Sequence, residues 1–277
     1  MSTPVPLPMD PPELTRQLVA FLQEETGKAG FSRAVVGVSG GLDSAVALLL
    51  AVRALGPENV LALRMPHRDS SPASLAHADL VIGAVGCPGE TLEVTGPVEA
   101  AREVLGADDP LRRGNLAARV RMAFLYDRAM ARRALVVGTS NKTELLLGYS
   151  TRWGDGAFDL DPLGDLYKCQ VRRLGQYLGV PREILGKPPS ADLWPGQTDE
   201  EELGFTYDDA DRLLWLVVDR RMPAEKAIDE AGLDRDLARR IVERVRRTQF
   251  KRTLPLVCKV QARTIGIDFR YPRDWGL

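Results

Sequence analysis

The segment Ser39-Gly40-Gly41-Leu42-Asp43-Ser44 combines two hydroxyls, adjacent glycines and a carboxylate. Consecutive glycines let backbone N–H groups turn toward an anion, and a helix that starts here adds the positive end of its dipole. The segment therefore predicts a pyrophosphate-binding loop. Because a carboxylate alone would repel phosphate, Asp43 indicates a Mg²⁺ ion that bridges carboxylate and phosphate oxygens. The alternative is that Asp43 only caps the helix that follows.

Three other motifs compete for residues 37–44. The P-loop is excluded because the segment lacks its lysine, and the dinucleotide fingerprint is excluded by the glycine spacing. The segment does contain G-x-S-x-G, which would make Ser39 the nucleophile of a hydrolase. That mechanism needs an acid and then a histidine later in the chain, whereas the two histidines are His67 and His77. A serine hydrolase is thus a weak alternative.

Strand and helix patterns alternate around this loop. Short apolar runs predict strands at 34–38, 60–63, 91–94 and 134–137, and helical patterns extend to about 54 and cover 72–82 and 116–133. The alternation predicts an α/β fold with a doubly wound parallel sheet, whose ligands bind at the carboxyl ends of the strands. Residues 149–161 are predicted to form a functional loop, 168–178 a helix, 187–202 a mobile segment and 206–252 three helices.

The chain is predicted to be one domain over residues 1–277. Residues 1–12 are interpreted as a loose, proline-rich leader before a helix at about 13–27, which Asp10 would cap. Residues 264–277 are interpreted as a C-terminal tail that could dock on the body or on a partner subunit.

Composition excludes several classes of protein. The 37 Lys and Arg residues balance 38 Asp and Glu residues, so the footprint of a general nucleic-acid binder is missing. The apolar run 45–52 is too short to cross a membrane, and the first dozen residues carry no basic n-region, so a cytoplasmic protein is expected. Cys87, Cys169 and Cys258 lie far apart, which argues against a disulfide framework or a zinc site.

Residues 39–44 resemble the SGGxDS loop of the N-type ATP pyrophosphatases, which split ATP into AMP and pyrophosphate while they adenylate a substrate oxygen. Further segments resemble the ammonia-dependent NAD⁺ synthetases in order and spacing over residues 30 to 260. The resemblance implies a Rossmann-like fold of the adenine nucleotide alpha-hydrolase type with additional C-terminal helices. The segments that carry it are Arg64-Met65-Pro66-His67, Gly114-Asn115-Leu116-Ala117-Ala118-Arg119, Gly138-Thr139-Ser140-Asn141-Lys142-Thr143-Glu144, Gly154-Asp155-Gly156-Ala157-Phe158-Asp159 and Lys187-Pro188-Pro189-Ser190-Ala191-Asp192-Leu193.

The resemblance also implies a reaction and its residues. The enzyme would be a ligase that adenylates the nicotinate carboxylate of deamido-NAD⁺ with ATP, after which ammonia displaces AMP. Asp43 and Glu144 would bind Mg²⁺, and Asp43 and Lys168 would be catalytic. ATP would be bound by Gly37, Val38, Ser39, Gly40, Gly41, Leu42, Asp43, Ser44, Thr139, Lys168 and Ser190.

Simpler interpretations of two of these residues stay open. Asn141 and Glu144 have the spacing of a capping box, and Lys168 could be a solvated lysine at a helix start.

On the dinucleotide side, the resemblance implies that Arg119, Arg152, Asp159 and Lys251 contact deamido-NAD⁺. Arg152 stands where relatives often have lysine, and Phe250 stands where some have a polar residue. Both changes concern the details of dinucleotide contact rather than the class of reaction.

The expected partners are small molecules: ATP, deamido-NAD⁺ and free ammonia, with no nucleic acid and no membrane. The first strand begins near residue 34, which leaves no room for a glutaminase domain before it, although a separate glutaminase partner stays open. The resemblance implies a homodimer with the deamido-NAD⁺ site at the subunit interface. The basic run within 239–252 is interpreted as the solvated face of an amphipathic helix.

Two further functions are alternatives. One is a tRNA-thiolating pyrophosphatase, although the cysteine pairs common in those enzymes are missing. The other is an adenine-nucleotide sensor without chemistry, against which the intact Asp43 and Glu144 argue.

Overall fold

A four-stranded parallel sheet organises the fold of this computed structural model, which describes residues 7–190 and 196–264. The strands are β1 (Ala34–Gly37), β2 (Val60–Arg64), β3 (Gly89–Thr91) and β4 (Leu135–Val137). Their order in the sheet is β3-β2-β1-β4, and every pair is parallel. The order reverses between β1 and β4, so the loops after these two strands diverge and leave a crevice between them.

Twelve α-helices surround and extend the sheet within the described residues. Those of the first half are α1 (Pro11–Lys28), α2 (Leu42–Leu55), α3 (Pro72–Val85), α4 (Thr95–Leu105), α5 (Pro110–Arg132) and α6 (Lys142–Leu147). Those of the second half are α7 (Lys168–Leu178), α8 (Arg182–Leu185), α9 (Asp199–Leu203), α10 (Tyr207–Leu214), α11 (Ala224–Ala231) and α12 (Arg235–Arg247). None of the described helices is long and apolar enough to cross a bilayer.

Alternating side chains of β1 build a core on each face of the sheet. Val36 packs in a cluster with residues of α1, α2, α3 and α7, whereas Val35 packs with Leu61, Val136 and residues of α5. A separate apolar cluster joins α10, α11 and α12 to Leu147 at the end of α6. The predicted doubly wound parallel sheet with additional C-terminal helices is therefore confirmed.

Several predicted boundaries are wrong. β3 lies at 89–91 instead of 91–94, the helix α4 was not expected, and α5 begins at Pro110 rather than at 116. The predicted mobile segment 187–202 contains the short helix α9, within which Asp199 is buried, while residues 191–195 lie outside the described residues.

The predicted leader is not loose where the structure describes it. Leu7 is buried and its carbonyl accepts a hydrogen bond from Arg173 at 2.8 Å. Asp10 caps α1 as expected, since its side chain accepts from Glu13 N. Residues 1–6 of the leader and 265–277 of the predicted tail lie outside the described residues.

Candidate active site

The glycine loop lies between β1 and α2, at the crevice of the sheet. Gly40 has a positive φ of 78°, which favours glycine, and the loop packs against the backbone of Ser74 on α3. The hydroxyls of Ser39 and Ser44 are 3.1 Å apart, and Ser44 Oγ donates to Gly41 O at 3.0 Å. The loop hydroxyls are thus held by one another, and the partner of Ser39 is a serine rather than the histidine that a hydrolase would need.

A lysine joins the two predicted metal-binding carboxylates. Lys168 Nζ donates to Asp43 Oδ2 at 2.6 Å and to Glu144 Oε1 at 2.9 Å. Its side chain is only 5% exposed, and each carboxylate side chain is 16% exposed. Lys168 is therefore not a solvated lysine. The three groups come from the starts of α2, α6 and α7, which follow the glycine loop, β4 and the loop 149–161 respectively.

The charges of neighbouring groups shift the pKa values of Glu144 and Lys168. Burial raises the pKa of Glu144 to about 7, against the lowering effect of Lys168 and together with the repulsion of Asp43. Burial alone would lower the pKa of Lys168, but the charges of Asp43 and Glu144 raise it above its usual value. The two neighbouring carboxylates thus favour the charged form of Lys168, whereas burial favours the protonated form of Glu144.

Asn141 takes part in the capping box at the start of α6 and also contacts the predicted metal-binding residue Asp43. The capping box is present, because Asn141 Oδ1 accepts from Glu144 N at 3.0 Å and Glu144 Oε2 lies 3.5 Å from Asn141 N. Asn141 Nδ2 also donates to Asp43 Oδ1 at 2.9 Å. Glu144 therefore caps α6 with one carboxylate oxygen and contacts Lys168 with the other. The local role and the proposed chemical role coexist in one side chain.

A third acid lies near the pair. Burial raises the pKa of Asp161 to about 8, with smaller contributions from Glu144 and Asp43. Its Oδ2 is shielded from solvent and has no hydrogen-bond partner among the described residues, and Oδ1 accepts from Leu163 N at 3.3 Å. Asp161 was not predicted as a site residue, because it follows Asp159 in a loop without a regular pattern.

Tyrosines cover the other side of the lysine. The Tyr207 ring centroid lies 5.0 Å from Lys168 Nζ, within range of a cation–π contact. The Tyr207 hydroxyl and that of Tyr149 each donate to Asp199, both at 3.1 Å. Tyr207 was not predicted, since aromatic residues in a helical pattern are more often part of a core. Tyr149 lies at the start of the predicted functional loop 149–161, where no role was assigned to it.

A cavity of about 840 Å³ opens in front of this cluster. Its volume is in the range of small-molecule sites. Of the predicted ATP-binding residues, those that line it are Gly37, Val38, Ser39, Gly41, Leu42, Asp43, Ser44, Thr139, Lys168 and Ser190, together with the predicted metal-binding Glu144. Gly40 supports the loop from behind, against Ser74.

Several basic side chains of the cavity wall were not predicted to contact a ligand. Arg64, Arg172, Lys187 and Arg244 all line it, and Lys187 Nζ donates to Ser74 Oγ at 2.8 Å. Arg244 belongs to the basic run that was interpreted as a solvated helix face, which is wrong for this residue, because it lines the cavity and its Nε donates to Leu147 O at 3.0 Å. Arg64 and Lys187 occur in the segments that carry the family resemblance, which was the available signal. The others have no distinguishing spacing in the sequence.

The four predicted dinucleotide-binding residues do not gather around the cavity as the predicted ATP-binding residues do. Lys251 lines the cavity, and its Nζ donates to the carbonyls of Gly148 and Ser150 at 2.7 Å each. Arg152 donates to Thr253 O at 3.3 Å, and its guanidinium lies 5.1 Å from the Trp153 ring centroid.

The other two lie outside the cavity wall of the described chain. Asp159 Oδ2 accepts from Val136 N at 2.8 Å, and Oδ1 accepts from Tyr126 at 3.3 Å. Arg119 is an exposed residue of α5. Of the four residues, Lys251 lines the cavity of the described chain, whereas Arg119, Arg152 and Asp159 do not.

The NAD synthase family model matches residues 14–255. The chain belongs to the NAD synthase family. A protein of Trichlorobacter lovleyi named NH(3)-dependent NAD(+) synthetase is 51% identical over 261 residues, which is 94% of this chain and 95% of the relative. A protein of the same name from Chlorobium phaeobacteroides is 50% identical over 93% of each chain. The resemblance drawn from the sequence is thus confirmed.

Solved structures of the NAD synthase family have the same fold. The NH3-dependent NAD synthetase of Campylobacter jejuni superposes with a TM-score of 0.78 at 31% identity, over 91% of this chain and all of that one. A structure of NMN synthetase from Francisella tularensis gives a TM-score of 0.81 at 35% identity over the same shares. The predicted class, an ATP-dependent ligase of NAD biosynthesis, is confirmed by this membership.

Proposed function

We propose that this chain amidates deamido-NAD⁺ to NAD⁺ with ATP and ammonia, releasing AMP and pyrophosphate. The observation that carries the proposal is the contact of Lys168 with Asp43 and Glu144 beside the glycine loop. Curated relatives about 50% identical over almost their whole length bear the name of this activity, which supports the same substrates here.

The chain's own groups would act chiefly by positioning and by charge stabilisation. The nicotinate carboxylate must attack the α-phosphorus of ATP, although both are negatively charged. The glycine loop would bind phosphate oxygens through its N–H groups, and Lys168 would stabilise the charge that develops during displacement of pyrophosphate. Thr139 and Ser190, at the cavity wall, would fix the rest of the nucleotide. Ammonia would then attack the adenylated carboxyl carbon, and AMP would leave.

Asp43 and Glu144 fit a Mg²⁺ site by the chemistry of their donors. Both are carboxylates, the hard oxygen ligands that Mg²⁺ prefers, and both already contact one cation, the Lys168 ammonium. Two protein carboxylates with phosphates and water completing the shell is the usual arrangement for this ion. When bound, Mg²⁺ would screen the triphosphate from the attacking carboxylate. Asp43 and Glu144 are the residues that would hold it.

The dinucleotide would occupy the side of the cavity bounded by loop 149–161. We assign its contacts to Arg119, Arg152, Asp159 and Lys251. Lys251 lines the cavity, and the position of Arg119 and Asp159 outside the wall of a single chain supports a site completed by a second subunit.

We therefore propose a homodimer in solution. Large apolar side chains exposed on α4 and α5, among them Leu105, Leu111 and Met130, support a subunit contact in this region. Sedimentation at micromolar concentration is expected to give twice the mass of the chain, and a monomer with full activity would contradict the proposal.

The whole chain is proposed to act as one domain in the cytoplasm with free ammonia as nitrogen donor. The three cysteines are unpaired thiols among the described residues, as suits a reducing compartment. The amide nitrogen is assigned to ammonia because the relatives are named for that dependence.

Product identification tests the proposed function. Purified protein is incubated with Mg-ATP, deamido-NAD⁺ and either ammonium or glutamine, each component is omitted in turn, and the products are separated by chromatography. NAD⁺ and AMP are expected together with ammonium and not with glutamine. A parallel incubation replaces deamido-NAD⁺ with nicotinate mononucleotide. Formation of NMN there, without NAD⁺ from deamido-NAD⁺, would assign the activity that the Francisella tularensis protein is named for. Nucleotide binding without turnover would favour a sensor, and salt-sensitive tRNA affinity would favour a tRNA-modifying enzyme.

A further inference from the structure

A buried carboxylate behind the site connects the two helices that carry Glu144 and Lys168. Asp211 lies on α10 and is 0% exposed. Its Oδ1 accepts from Thr143 Oγ1 at 2.5 Å, and its Oδ2 accepts from Cys169 N at 2.8 Å. Thr143 Oγ1 in turn accepts from Lys168 N at 3.0 Å. The cavity wall, as far as the structure describes it, includes neither Asp211 nor Thr143.

These contacts satisfy backbone groups at the start of α7. The first N–H groups of a helix have no partner within the helix. The side chain before α7 belongs to Tyr167, and its hydroxyl donates to Asp219 instead. The N–H groups of Lys168 and Cys169 therefore bind to Thr143 and Asp211, which belong to other helices. The dipole of α7 favours a negative charge at this end.

The cost of burying Asp211 indicates that the contacts are specific. An unpaired buried carboxylate is strongly unfavourable. Burial raises the pKa of Asp211, and the hydrogen bonds from Thr143 and Cys169 act in the opposite direction. A hydrophobic residue at position 211 would pack in the apolar cluster of the C-terminal helices without this cost, but it would leave the start of α7 without its partners.

The sequence positions of the partners connect Asp211 to the reaction. Thr143 immediately precedes Glu144, and Cys169 immediately follows Lys168. Each hydrogen bond of Asp211 thus fixes a residue whose neighbour carries a functional group. The Lys168 Nζ to Glu144 Oε1 distance of 2.9 Å depends on the relative position of the starts of α6 and α7. Thr143 Oγ1 and Asp211 join these two starts through side chains, beside the backbone hydrogen bond that Lys142 N donates to Leu166 O at 2.8 Å.

We propose that Asp211 is a positioning residue of the ligase reaction. Asp211 accepts hydrogen bonds from Thr143 Oγ1 and Cys169 N, and so fixes the start of α6 relative to the start of α7. This keeps the side chains of Glu144 and Lys168 in contact, with Lys168 Nζ 2.9 Å from Glu144 Oε1. The inference rests on the proposed function, because it concerns the rate of that reaction.

A pair of substitutions at Thr143 tests the connection. Thr143→Val preserves the shape and removes the hydroxyl, whereas Thr143→Ser retains it. Thr143→Val is expected to lower kcat on the order of 100-fold, the cost of misplacing catalytic groups by about 1 Å. The KM for deamido-NAD⁺ is expected to stay within about 2-fold, since the lost interaction acts in the transition state. Thr143→Ser should restore kcat.

Asp211→Asn provides a second test of the same contacts, which can be measured even if Thr143→Val does not fold. Thr143 and Cys169 donate to different oxygens of Asp211, and asparagine has an acceptor at only one of these two positions, so one of the two contacts is lost in its present form. We expect kcat to fall again, with the KM for deamido-NAD⁺ little changed.

Thr206→Val is the matched control. Thr206 is exposed and caps the same helix, α10, since its Oγ1 accepts from Asp209 N at 3.1 Å. The substitution removes a helix cap and is expected to lower the unfolding midpoint while leaving kcat unchanged. The inference is overturned if Thr143→Val and Asp211→Asn keep wild-type kcat, or if Thr206→Val lowers kcat as much as they do. If wild-type protein forms no NAD⁺, the proposed function itself fails, which is a different result.

Discussion

Gly40 lies against Ser74 so closely that a Cβ at residue 40 would overlap the Ser74 carbonyl oxygen. The glycine loop therefore touches the first turn of α3, and Ser74 Oγ accepts a hydrogen bond from Lys187 Nζ, another residue of the cavity wall. The loop, the helix and the lysine are thus connected at the proposed nucleotide site.

Gly40→Ala is expected to impair ATP binding by at least about 10-fold, because the positive φ of Gly40 costs roughly 1–2 kcal/mol for alanine and the contact with Ser74 adds to it. Calorimetric titration with ATP measures the effect. Gly83→Ala is the control. Gly83 lies in the same helix as Ser74, and a Cβ at residue 83 would meet nothing within 4 Å. Unchanged ATP affinity in Gly40→Ala would show that the loop can move away from α3.

Glu144→Gln is expected to reduce kcat by about 10²–10³-fold, as the loss of one preorganised charge does. Glutamine preserves the capping box at the start of α6, so the fold should be retained. Asp43→Asn should behave alike, because both carboxylate oxygens of Asp43 accept hydrogen bonds. The test measures turnover of both variants across a Mg²⁺ titration. The control is Glu230→Gln, which changes an exposed glutamate of α11. Near-normal activity of either variant at low Mg²⁺ would remove it from the metal site.

Arg152→Ala is expected to raise the KM for deamido-NAD⁺ about 10-fold or more while changing the KM for ATP little, because removal of one charged hydrogen bond costs 1.5–3 kcal/mol. Steady-state kinetics with each substrate varied in turn gives both values. Arg239→Ala, an exposed arginine of α12, is the matched control. Equal changes for both substrates would reject a specific contact with the dinucleotide.

His67 is expected to make the stability of the protein depend on pH. Burial lowers the pKa of His67, while Asp69 and Glu99 raise it and Arg121 and Arg68 lower it; Arg113 contacts the same two carboxylates. His67 Nδ1 accepts from Asp69 N at 3.3 Å, which requires the neutral ring. The unfolded chain therefore binds the proton more readily, and stability falls as the pH decreases from the usual histidine pKa through the lowered one.

Urea unfolding of wild type and His67→Asn between pH 8 and pH 5 measures this dependence. Asparagine has an acceptor in place of Nδ1 and does not titrate, so the stability of the variant should fall less on acidification. Parallel curves would contradict the assignment.

Asp43 and Glu144 could be predicted because each lies in a segment with a recognisable motif, and Lys168 was assigned from the family resemblance alone. Asp211, Asp161 and Tyr207 could not be predicted, since their roles arise from burial and from contacts between distant helices. The helix α4 was missed because Gly96 and Pro97 suggest a turn, although proline is compatible with the first turn of a helix. The exposed β3 lacks an apolar run. The apolar residues around Val94 therefore shifted the predicted end of this strand three residues too far along the chain.

The reactive cluster is assembled from distant parts of the chain: Asp43 and Lys168 are separated by 125 residues, and Thr143 and Asp211 by 68. Contacts of such long range form late in folding, because the loop between them must first be closed. During synthesis, a chain that has reached only α5 contains the complete glycine loop but neither Glu144 nor Lys168. The cluster of Asp43, Glu144 and Lys168 is therefore complete only after α7 has been synthesised, and the contact of Thr143 with Asp211 only after α10 has followed.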